Sequence, residues 1–269
     1  MSSASRVSVS QAHLPLLCRY ETSEMDMGKA RREAGFSLIE IAIVLVVLGL
    51  LLAGLIGPMG TRIEQEERER TRAILEEIKE ALYGFAIAQG RLPCPDSDVP
   101  NNGRENLTSG ECTNAAGTLP WADLAVPEDD AWGRRFLYRV TPSYADDVIL
   151  GTVAPGSCPA TPPATPPSQS SFALCSDGDI TIRSDGVDTS PTTLVASNVA
   201  AAVVSHGKHR FLPADASPHE DENFEAGDTL RTFVSRDYTG GTGEEFDDLV
   251  VWVSPLILKN RMIMAGKLP

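Results

Sequence analysis

The stretch GFSLIEIAIVLVVLGLLLAGLIG, residues 35–57, decides how the rest of the chain is read. From Phe36 to Gly57 it runs 22 residues with one charge, Glu40. At the α-helical rise such a run is about 33 Å long, enough to cross the ~30 Å hydrocarbon layer of a bilayer. Lys29, Arg31 and Arg32 precede it and Glu64 onward follows it, so the positive-inside rule places the N-terminus in the cytoplasm and everything after Pro58 outside. A carboxylate in a spanning helix is costly, about 2.5–3.5 kcal/mol at the centre on insertion scales. A tether would carry Leu at position 40. Glu40 instead calls for a cation, and an amine freed by cutting between Gly35 and Phe36 is the nearest one.

Those residues carry a family resemblance. Lys29-Ala-Arg-Arg-Glu-Ala-Gly35, then Phe36-Ser-Leu-Ile-Glu40 and an apolar run, resembles the type IV prepilin signal of pilins and type II secretion pseudopilins. The resemblance implies that a membrane prepilin peptidase cuts after Gly35 and that the new Phe36 amine is methylated. It implies that Glu40 pairs with a terminal amine, its own or a neighbour's, as subunits enter a filament from an inner-membrane assembly platform. A secretory signal peptide fits less well, because its apolar core is shorter and its cleavage site is of small-x-small type. A plain signal anchor accounts for the length but not for Glu40 or the Gly-Phe junction; a signal-anchored periplasmic binding or hydrolytic protein is therefore the alternative reading.

The expected division is a leader at 1–35, a membrane and filament-core helix at 36–57, the periplasmic half of the same helix at 58–90, and a globular domain at 91–269. Met27 opens a compact leader, so translation starting at Met27 or Met25 is one expectation and a genuine long cytoplasmic leader the other. The formal charge is −14; removing residues 1–35 takes away five Lys/Arg and four Asp/Glu and leaves −15. That balance argues against nonspecific nucleic-acid binding by bulk charge.

Of five cysteines, Cys18 falls in the leader. An even number in an oxidising compartment points to disulfides. Three pairings are open, and the local ones, Cys94–Cys112 and Cys158–Cys175, are favoured. Each closes a short loop worth roughly 3 kcal/mol in the chain-entropy model. Zinc is the competing use, but no C-x-x-C pair occurs.

Beyond the span, Gly57-Pro58 should bend or loosen the helix. From Thr61 to Gln89 the pattern is helical again: charges first, a solvated face with Glu64/Arg68 and Glu66/Arg70 at i,i+4, then an apolar stripe at Ile74, Ile78, Leu82 and Phe85 to pack on a sheet. Straight, residues 36–89 would be about 80 Å long, more than one domain can bury. Gly90 ends the helix. Residues 91–127 read as irregular, and Asp130-Ala-Trp132-Gly133…Tyr138 leads into a strand, resembling the strand entry of major pseudopilins. Further strands are expected at 148–153, 179–183, 230–235 and 248–254. A small apolar helix is expected at 193–205 with a Gly C-cap at His206-Gly207, an acidic loop at 215–228, and a closing helix at 255–265. The fold class is α+β, one long N-terminal helix packed on an antiparallel sheet, to which the resemblance adds a ladle-like form.

Asp96, Asp98, Asn102 and Glu105, with Asn101, form an oxygen-rich loop that suits Ca2+ in residue type, although ordinary turn chemistry accounts for it better. The spacing is not that of an EF-hand. The resemblance implies calcium in a C-terminal loop, where Glu244, Glu245, Asp247 and Asp248 match by composition alone. His206, His209 and His219, with Asp215, Glu220 and Asp221, could be drawn as a zinc or hydrolase site. No HExxH or GxSxG pattern supports this, and they read as cap and loop residues. No catalysis and no small-molecule substrate are expected. The expected partners are pilin or pseudopilin subunits, the prepilin peptidase and N-methyltransferase, the assembly platform, and lipid before assembly.

Overall fold

The computed structural model describes residues 35–146, 170–209, 217–224, 230–240 and 245–268, without the side chains of 52–61. The chain divides into two units, Met1–Gly54 and Leu55–Pro269. Helix α1 (Leu38–Gln89) begins in the first and ends in the second, and its helical backbone continues through Gly57-Pro58.

In the first unit, every described residue from Gly35 to Leu51 is exposed, including Phe36 at 76% and Leu38 at 89%. Among the described residues, no helix is long and apolar enough to cross a membrane. The apolar run continues into 52–57, whose side chains lie outside the described residues.

In the second unit, α1 turns a predicted stripe into a buried face. Leu75, Ile78, Leu82, Tyr83 and Ala86 are in the core, with Ile74 and Phe85 packed against it. Gly90 ends the helix at φ +79, a left-handed conformation that a side chain would disfavour. After α1 come β1 (Leu107–Thr108), β2 (Glu111–Cys112), β3 (Ala116–Thr118), α2 (Trp121–Leu124), β4 (Leu137–Val140) and α3 (Pro142–Ala145). The second half supplies β5 (Ile180–Arg183), β6 (Leu194–Val199), β7 (Ala201–Ser205), α4 (Pro218–Phe224), β8 (Thr232–Val234), β9 (Leu249–Val253) and α5 (Pro255–Met264).

The main sheet has the order β3-β4-β7-β9, antiparallel throughout, with Tyr138 opposite Val203 and Val203 opposite Val251. A second sheet, β6-β5-β8, includes one parallel pair, β5 with β8, where only antiparallel strands were expected. A long connection joins those two strands, which permits the parallel return. The hairpin β1-β2 completes the set.

Strand β7 explains how the layers fit. Ala201 and Val203 face the core built on α1, whereas Ala202 and Val204 face a second core with Ile180, Ile182 and Phe233. Helix α5 closes the first core with Leu258 and Met262, and Gly266 ends it at φ +69.

Three further expectations fail here. Residues 91–127, read as irregular, contain β1, β2, β3 and α2, short elements with too few residues to show a period. Residues 193–205 are not a helix: they supply β6, within which Asn198 adopts φ +55, and β7, with Ala200 between the two strands. A strand buried on both faces shows no alternation, so its alanine-rich run mimics a helix. The acidic stretch 215–228 is not all loop either, because Pro218–Phe224 is helical; Pro at the first helical turn and acidic residues beside it favour that start. The strand expected at 148–153 lies outside the described residues. Strands β5, β8 and β9 and helix α5 occur within a residue or two of the expected bounds.

Candidate processing and assembly site

Gly35, Phe36 and Ser37 precede the first turn of α1 in extended or irregular backbone. Ser37 caps that turn: its carbonyl accepts from the Ile41 amide at 3.2 Å, and its hydroxyl oxygen accepts from the Glu40 amide at 3.2 Å. Ser37-Leu-Ile-Glu40 is thus an S-x-x-E helix start, with Glu40 three residues beyond the cap. That signal was present in the sequence but was overshadowed by the apolar run. The helix N-terminus carries partial positive charge, so a carboxylate at this position is electrostatically well placed. The Glu40 side chain is exposed, and Gly35 has open space where a Cβ would stand.

A basic stretch, a Gly-Phe junction, a carboxylate at the fifth position after it and an apolar helix together define a prepilin-type N-terminus. Residues 30–56 match the prokaryotic N-terminal methylation motif, the type IV pilin and pseudopilin signal. The chain carries this motif, which implies a processed, pilin-like protein. No curated protein and no solved structure matches the chain.

Cys94 and Cys112 are joined by a disulfide, with Cys94 fully buried. Cys175 is also disulfide-bonded; Cys158, its expected partner, lies outside the described residues.

The loop considered for calcium uses its oxygens on its own chain. Asp96 is buried, and its carboxylate accepts from the amides of Asp98, Asn102 and Gly103 at 2.7–3.0 Å. Glu105 makes a two-point ion pair with Arg91 at 2.7 Å and accepts from the Cys94 amide. Asp98 accepts from the side-chain amides of Asn102 and Asn106. The geometry is that of a tied turn beside the disulfide.

The Asp130–Gly133 segment forms a corner. Asp130 accepts from the amides of Trp132 and Arg134 through Oδ1 and from the Ser205 hydroxyl through Oδ2. Arg134 then donates to the carbonyls of His206, Gly207 and Lys208, fixing the exit of β7.

The histidines separate. His219 Nδ1 accepts from the Gly186 amide and lies 3.6 Å from Asp185. His206 and His209 instead face Asp248 and Asp247. Glu220, Asp247 and Asp248 come together as buried carboxylates, the one such group among the described residues with metal-ligand spacing. Burial, together with the neighbouring carboxylates, pushes Glu220 up to about 7, and burial also raises Asp247. Arg68, expected on a solvated face, is buried; it donates to the Asp247 carbonyl at 3.3 Å and stacks 3.9 Å above the Tyr238 ring. In sequence its environment looked like a run of exposed charges.

Proposed function

We propose that the chain is a structural subunit of a type IV pilus or a type II secretion pseudopilus, cut after Gly35, methylated at Phe36 and polymerised through its N-terminal helix. The observation that carries this reading is the methylation motif placed over an uncovered apolar helix whose first turn holds Glu40. An apolar surface of that length is not stable in water, so it needs lipid first and neighbouring subunits afterwards. On this reading residues 1–35 are a cytoplasmic leader, 36–57 span the inner membrane before assembly, 58–90 continue the helix into the periplasm, and 91–269 form the displayed domain. The disulfide Cys94–Cys112 fits an oxidising compartment.

The polymer itself would be the function, with no chemical step carried by the domain. The test is the mass of the mature N-terminus from cells that contain the peptidase. A chain beginning with N-methylated Phe36 supports the filament subunit; an intact leader supports a plain anchor.

A further inference from the structure

Glu220 of α4 and Asp247 and Asp248 before β9 each bring one oxygen to within 4.8 Å of the others, and all three are at most 5% exposed. Three carboxylates cannot share so small a buried space without a cation or protons between them. The chain satisfies them only in part. Glu220 accepts from the Asp247 amide at 3.0 Å, Asp247 Oδ2 from the His209 amide at 2.8 Å, and Asp248 Oδ2 from the Asn223 side chain at 2.8 Å. Among the described residues Asp247 Oδ1 is buried with no hydrogen-bond partner, in a residue only 1% exposed. His206 Nδ1 is likewise buried and has no hydrogen-bond partner among the described residues, and it faces Asp248 Oδ1 at 3.5 Å. The nearby Arg68 donates to the backbone carbonyl of Asp247 instead.

An N···O separation of 3.5 Å lies outside good hydrogen-bond range. Two ligands of one tetrahedral zinc ion, with bonds of about 2.0–2.1 Å, sit roughly 3.3 Å apart. We propose that Glu220, Asp247, Asp248 and His206 form a binding site for a divalent transition-metal ion, with Zn2+ the best match. Mixed imidazole and carboxylate donors suit zinc, whereas Ca2+ takes six to eight oxygens and no imidazole. The imidazole and the contribution from α4 set this site apart from an all-oxygen calcium loop. Four donors arrive from three separate segments, so the ion would tie α4, the exit of β7 and the entry of β9 together.

The surrounding structure holds those donors in place. Arg134 anchors the consecutive carbonyls of His206, Gly207 and Lys208. Gly207 lets that turn pass over Asp247: its φ is +56, and a Cβ would stand 2.5 Å from the Asp247 carbonyl oxygen.

The experiment uses the full chain in detergent micelles, stripped with a chelator and titrated calorimetrically with Zn2+ and, separately, with Ca2+. One Zn2+ per chain is expected, bound more tightly than Ca2+. His206→Gln should weaken Zn2+ by at least about tenfold, since even outer partners of metal ligands are worth 10- to 100-fold, and should leave Ca2+ unchanged. Asp248→Asn should also weaken Zn2+; because Asp248 holds Asn223, circular dichroism checks its fold. Visible absorption of the Co2+-loaded chain gives a second readout, and its bands should shift in His206→Gln. The proposal is overturned by a wild-type chain with no saturable Zn2+ binding, by a preference for Ca2+, or by Zn2+ binding and Co2+ spectra that ignore His206→Gln.

Discussion

Gly35 and Arg68 show what a single residue decides, one just before α1 and one midway along it. Among the described residues nothing lies within 4 Å of where a Gly35 side chain would begin, so those residues accommodate a larger side chain there. On the proposed reading, an effect of Gly35→Arg acts through the peptidase that would read the junction. Conversion to the short form should stop in cells that contain the peptidase, as a gel shift will report; normal conversion would refute the proposed cut site. Arg68 is the opposite case, a buried cation held by the Asp247 carbonyl and the Tyr238 ring. Arg68→Met keeps the stem and removes the charge. It should lower stability by about 2 kcal/mol, the scale of a buried hydrogen bond from a charged donor. Urea unfolding measures it, and an unchanged midpoint would mean that the guanidinium contributes only packing.

At the scale of the element, α1 divides into faces that behave differently. Ile78 is fully buried whereas Glu77, beside it, is exposed. Ile78→Ala should cost about 2–5 kcal/mol, because a methyl-rich side chain leaves a cavity against the sheet. Glu77→Ala should stay within about 0.5 kcal/mol. Equal losses in the two unfolding curves would contradict the assigned face. This stripe was legible because a helix lying on a sheet buries one side only, which leaves a 3.6-residue period. Strands β5, β8 and β9 and helix α5 were legible for related reasons: β-branched runs, Gly and Pro punctuation, and a glycine at the end of α5. Strand β7 was not. Its two faces enter two different cores, so Ala201–Ser205 carries no period, and its alanines suggested a helix. The buried carboxylate group was equally hidden. Glu220 lies 27 residues before Asp247, and only the placement of α4 against the entry of β9 makes them neighbours. The N-terminal signal was readable because its meaning resides in adjacent residues, with no tertiary contact needed.

At the scale of the whole molecule, assembly is the property that Glu40 should control. On the proposed reading an unassembled subunit holds this carboxylate in a bilayer, a costly place for a polar group. In a filament the same group can meet the charged amine of a neighbouring Phe36 within an apolar core, where water competes poorly. Only a neighbour at the correct axial offset supplies that contact, so the pair would select register as well as contribute energy. The cap geometry makes the test clean. Ser37 holds the backbone amide of residue 40, not its side chain, so Glu40→Leu keeps the Ser37 cap and loses only the carboxylate's attraction to the helix N-terminus. Membrane insertion should be at least as good as wild type, since a costly group has gone, and cleavage after Gly35 should persist. Incorporation into filaments should fall at least about tenfold, a loss of ~1.4 kcal/mol or more per subunit contact. Glu40→Asp keeps the charge on a shorter arm and should fall between the two. The quantity to measure is the ratio of subunit in sheared filaments to subunit in membranes for each variant. If Glu40→Leu assembles at the wild-type ratio, the carboxylate has no part in register and the plain-anchor reading gains over the filament.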